Sequence, residues 1–83
     1  MLKENVKVKV MVIDFENKKG WKIYHNEDLY ENTEIKDSRF WNDVQNGYYR
    51  FVKGTTLVAD IDCPWRIEEP LKILKVHEVI YSD

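Results

Sequence analysis

A mainly β domain, built as a small five-stranded, partly open barrel with one short helix between strands 3 and 4, is the fold this sequence predicts. Strand formers dominate the apolar 43 % of its 83 residues, against one alanine (Ala59) and five leucines, a balance that favours sheet over a helix bundle. Valines occupy every second position from Val6 to Val12, the period of a strand with one wet face. The patterned segments then come in the order three extended, one helical, two extended.

The first strand is expected from Val6, with Lys7 and Lys9 outward. From Met11 the alternate positions (Ile13, Phe15) turn apolar too, as in a strand that bends between two halves of a barrel and is buried on both faces. Residues 17–20 form a hairpin connection in which Gly20 takes a positive φ. Trp21, Ile23 and Tyr24 belong to the second strand, and residues 29–35 to a third, diluted by Glu31, Asn32 and Glu34. Asp37 or Ser38 caps a helix whose Phe40 and Val44 share one face, and Asn46-Gly47 stops it. So short a helix has to lean on the sheet to exist. Residues 48–52 are an extended aromatic segment and Lys53-Gly54 a turn. Residues 56–61 make the fourth strand, with Leu57, Ala59 and Ile61 inward. Pro64 and Pro70 bracket a loop over 62–70. Residues 71–81 close the domain, with Leu74 and Val76 on one face and Val79 and Tyr81 on the other, so a β-bulge is expected near His77-Glu78. This order is OB-like. An SH3-like barrel, which would use residues 48–52 as a strand of their own, is the alternative. One domain spans 1–83, without repeat or linker.

Four stretches stand together in this chain: GWKIYHN (20–26), IKDSRFWNDVQNG (35–47), YRFVKGTTLVADI (49–61) and LKILKVHEV (71–79). Together they resemble a small β-barrel module of prokaryotic and mobile-element proteins that has no assigned activity. The shared pattern is Trp-x-hydrophobic, Ile-x-Asp-x-x-Phe-x-x-x-Val, Phe-x-x-Gly-Asp-x-Leu and a closing Val-rich strand. The resemblance runs from Val6 to about Ile80 and departs at Gly54-Thr55, where the pattern has Gly-Asp. It implies the barrel and leaves the function open; a protein-binding accessory factor of a phage or mobile element is the expected role.

Catalysis is not expected. A single cysteine excludes an intramolecular disulfide framework and an all-Cys zinc site. His25, His77 and Cys63 would need a carboxylate from Asp60, Asp62 or Glu78 to complete a metal site, and no spacing marks one; neither metal nor cofactor is expected. The acids beside Cys63 oppose a thiolate nucleophile. Asp60 and Asp62, without a basic partner in register, read as a solvated strand end. No apolar run approaches the ~20 residues of a membrane span, and residues 1–5 hold no signal-peptide apolar region, so a cytoplasmic chain is expected.

Binding is where the composition points. The formal charge of −2 is uneven: residues 1–22 carry an excess of lysine, and residues 23–83 an excess of acid. OB-type barrels bind on the face of strands 2 and 3 and its flanking loops. Trp21, Tyr24, Trp65 and Arg66 are the expected anchors there for a protein partner, with Glu27, Asp28, Glu31 and Glu34 orienting it. The alternative is single-stranded nucleic acid held by Lys18, Lys19 and Lys22 and stacked on Trp21 and Trp65, although phosphates would meet the acids of strand 3. Phe15, Phe40 and Phe51 are assigned to the core. Whether Trp65 folds back as a lid or awaits a partner is open, as is the oligomeric state; residues 71–81 could pair with a second copy.

Overall fold

The computed structural model describes residues 1–81. Its elements are β1 (Leu2–Val12), β2 (Trp21–His25), β3 (Asp28–Ile35), α1 (Ser38–Gln45), β4 (Thr55–Asp62) and β5 (Leu71–Ile80). The strands close a barrel in the order β1-β2-β3-β5-β4, with β4 returning to β1. Every seam is antiparallel except β3–β5, which is parallel and joins Thr33, Glu34 and Ile35 to Leu71, Lys72 and Ile73. The OB-like order and the helix between β3 and β4 are therefore present. Residues 46–54 pair as no strand, which removes the SH3-like alternative.

Alternation places Val8 and Val10 of β1, Trp21 and Ile23 of β2, Leu57, Ala59 and Ile61 of β4, and Leu71 and Ile73 of β5 in one core. Removing their apolar surface from water is the main force holding a barrel without disulfides together. Strand β1 begins earlier than expected, Leu2 facing Asp62 and Lys3 facing Ile61. A break in register before Val6 hides the alternation in residues 2–5, and Asn5 takes φ +52° there. The double burial expected beyond Met11 is corrected: β1 ends at Val12, and both Val12 (45 % exposed) and Phe15 (49 %) face solvent. The chain leaves the sheet at this point, and Phe15 instead lies against Phe51, ring centroids 6.4 Å apart.

The expected bulge in β5 is present: Val58 faces Glu78 while Ala59 faces Val76, which leaves His77 extra. A second bulge follows from Asp60 facing Lys75 while Ile61 faces Ile73. It turns Leu74 outward, so the expected shared face of Leu74 and Val76 is corrected; a one-residue slip sends a side chain to the other side of the sheet. Strands β2 and β3 join through Asn26 and Glu27, both at positive φ, between the facing residues His25 and Asp28. That is the two-residue hairpin turn whose twist suits the strands.

Asp37 caps α1 by accepting the Phe40 N–H at 3.0 Å, and its other oxygen accepts the Val76 N–H of β5 at 2.9 Å. One carboxylate thus starts the helix and ties it to the barrel wall. Phe40, Trp41 and Val44 are buried, and the rings of Phe40 and Trp41 meet Trp21 edge-on at 6.4 and 6.3 Å. Gly47, at φ +72°, ends the helix in the left-handed conformation glycine favours.

Candidate functional site

The expected anchor set divides. Trp21 is wholly buried, and its indole N–H donates to the carbonyls of Asp14 (3.0 Å) and Asn17 (2.9 Å) in the β1–β2 loop. It is a core residue that holds a loop down, and it offers no surface to a protein or a base. Trp65 is 86 % exposed, so it is not a lid. Arg66 beside it is exposed, and its carbonyl accepts the Glu69 N–H at 3.1 Å, turning the β4–β5 loop. The loop leaves β4 through Cys63, whose N–H donates to the Met1 carbonyl.

Tyr24 lies on the outer face of β2 opposite Leu29 of β3, with Lys9 of β1 on its other side. Tyr24 and Leu29 are both about two-fifths exposed, at 41 % and 39 %. Leu29, Glu31, Asn32, Ile67 and Glu68 line a recess of about 240 Å³ where β3 meets the loop. A second recess, about 490 Å³, lies under Trp65, between Glu34, Asp62, Cys63, Glu69 and Lys72. Exposed apolar side chains (Trp65, Ile67, Leu29) thus stand beside acids at both recesses, which the β4–β5 loop links through residues 65–69. Ile67, Glu68 and Glu69 were not singled out in the sequence, though an isoleucine and two acids following the Trp65-Arg66 pair between two prolines were the visible signal.

Glu27, Asp28 and Glu31 are exposed, as the reading requires. Glu34 is not a free acid. Its carboxylate lies 3.1 Å from Lys36 Nζ, and that hydrogen bond, with Lys36, Lys19 and Lys72 nearby, holds its pKa below the ordinary glutamate value. Lys18 and Lys19 are exposed and Lys22 half-buried. With Trp21 buried, the proposed nucleic-acid set lacks its central stacking ring.

Cys63 is buried, with its sulfur 3.5 Å from the Tyr30 hydroxyl. That hydrogen bond, together with burial, pushes the Tyr30 phenol up to about 12. Cys63 itself lines the Trp65 recess, with the Tyr30 hydroxyl against its sulfur. Asp60 and Asp62 do have partners, contrary to the sequence reading. Asp60 accepts the Asn5 N–H and lies 2.9 Å from His77 Nε2, and these hydrogen bonds lower its pKa in that order. Asp62 lies 2.9 Å from the Met1 amine. Among the described residues no cluster of three or more His, Cys, Asp or Glu is arranged to hold a metal ion, and no helix is long and apolar enough to cross a membrane. Set against protein-family models, curated proteins and solved structures, the chain matches none.

Proposed function

We propose that this barrel is a non-catalytic interaction module that binds a protein partner with a basic surface, through the face where β3 meets the β4–β5 loop. The observation that carries the reading is Trp65, which extends into solvent at 86 % exposure above a recess lined by Glu69, Lys72 and the Asp62 carboxylate paired with the Met1 amine. Tryptophan and arginine dominate interface energetics when they enter a partner's pocket, while a charged rim sets orientation and rate. Trp65 and Arg66 supply the anchors, Leu29, Ile67 and Tyr24 the apolar surround, and Glu27, Asp28, Glu31 and Glu68 the negative rim. A phosphate backbone laid on the same face meets those carboxylates, which favours a basic protein over nucleic acid.

The test is affinity capture from nuclease-treated lysate with the parent, with Trp65→Ala, and with the double variant Glu31→Lys, Glu68→Lys. A captured protein lost with both variants supports the reading. Oligonucleotide binding at micromolar strength, with a steep negative salt slope and quenching of Trp65, would overturn it.

A further inference from the structure

We propose that the cleft between α1 and β5 is a second docking site, separate from the Trp65 face, which takes an extended peptide of alternating apolar and acidic residues as an added strand. Strand β5 runs from Leu71 to Ile80, but β3 accompanies only Leu71, Lys72 and Ile73. On that flank the last main-chain bond is from the Lys36 N–H to the Ile73 carbonyl, at 2.8 Å. Beyond it the Val76 N–H donates to a side chain, Asp37; β4 pairs with the other flank of β5, and on this flank, among the described residues, no strand lies against residues 74–80. An edge of that length spans about 20 Å, and unpaired edges are templates for strand addition. The cleft beside the first four residues of that edge, Leu74 to His77, measures about 620 Å³, within the roughly 300–1,000 Å³ of ligand-sized clefts.

The lining says which peptide. Leu74, turned out by its bulge and 38 % exposed, and Tyr48, 74 % exposed, present apolar surface to the cleft. Arg39 and Lys75 line it too, and neither is in an ion pair among the described residues. The Asp37 carboxylate already accepts two main-chain N–H groups, so its charge is largely answered from within the fold. Two free cations beside an apolar strip complement a strand whose side chains alternate between carboxylate and hydrocarbon. Asp43 lines the cleft as well, which limits the positive charge there to what a peptide with few carboxylates can match, and two cations neutralise few phosphates, so nucleic acid fits less well. A second copy of β5 would bring its own Lys72 and Lys75 towards the Lys75 and Arg39 already present.

The experiment is amide NMR of the full chain titrated with a short capped peptide of alternating valine and glutamate. Control titrations use the valine–lysine counterpart and oligothymidine. The expected result is shifts at residues 74–80, Arg39 and Tyr48, no response at residues 65–69, and affinity about tenfold weaker in Arg39→Glu or Lys75→Glu. Leu74→Ala, a milder change, is expected to weaken binding without disturbing the spectrum elsewhere. Equal response to the valine–lysine peptide, response to oligothymidine alone, or no response at all would overturn the proposal. So would broadening of the residue 74–80 amides with protein concentration alone, which would assign the edge to a second copy.

Discussion

Trp21 and Trp65 each stand beside a strand end and each precede a basic residue, Lys22 and Arg66, yet one is wholly buried and the other is 86 % exposed. The difference lies in what the barrel brings to each ring. Trp21 opens β2 with inward parity, faces Thr33, and meets Phe40, Trp41 and Phe51 edge-on. Its polar N–H, costly to bury unpaired, finds two loop carbonyls. Trp65 stands past the end of β4, between Pro64 and the turn at Arg66, where no strand carries it inward. The partners of Trp21 are remote in sequence, so its immediate neighbours do not distinguish it from Trp65.

The hardest blow to that contrast is Trp21→Ala. Emptying the centre of the aromatic cluster is expected to cost about 3–5 kcal/mol, comparable with the whole stability of a domain this size at roughly 0.05–0.15 kcal/mol per residue. Circular dichroism and urea titration should find the variant largely unfolded; a cooperative transition near the parent midpoint would show that Trp21 does not organise the core. Asp37→Ala comes next. Losing the helix cap costs about 1 kcal/mol, and leaving the Val76 N–H without its acceptor costs about 1 kcal/mol more. Urea midpoints at constant slope measure the total.

Asp60→Asn tests a smaller, pH-dependent effect. The folded Asp60 carboxyl titrates below its ordinary value of 3.8, so folding favours the ionised form. That contribution is fully present above the unfolded pKa and is lost as pH falls through the lower, folded one. The parent's advantage over the variant in urea midpoint should therefore be seen at about pH 5.5 and shrink below about pH 3; an advantage that persists there would trace to something other than the charge. Trp65→Ala is the smallest in stability, within about 0.5 kcal/mol of the parent. It should nevertheless remove most acrylamide-accessible fluorescence, since Trp21 and Trp41 are buried.

Local signals made much of the barrel legible. The valines of β1, the Asp37 cap, Gly20 and Gly47 at positive φ, and the bulge at His77 all follow from rules that act within a few residues. The bulge at Leu74 escaped because Leu74 is apolar and fits the parity of Val76, so nothing in the chain marks it as the residue that turns out. The site was legible as a composition more than as a place. The acids of β3 are on the surface as the sequence reading required, but Glu34 is taken by Lys36, a pairing made where β3 ends. Trp21 moved from surface to core for the tertiary reasons above. Arg39, Tyr48 and Lys75 come from three separate segments, and only the closed barrel brings them to one cleft.

The pairing of β1 with β4, Leu2 facing Asp62, also governs how the chain reaches this state. Residues 2–35 contain three consecutive strands, but β1 is left with a bare flank until β4 has been made. The β3–β5 seam then waits for residues 71–73. No early portion can close on itself, and the contacts that complete the structure join distant parts of the chain. Chains with such topology fold in milliseconds to seconds, against microseconds to milliseconds for helical bundles. During synthesis the first three strands would therefore spend seconds as an open ribbon, at about 5–20 residues added per second. The lysines at positions 3, 7 and 9 keep that ribbon's leading edge charged while it waits.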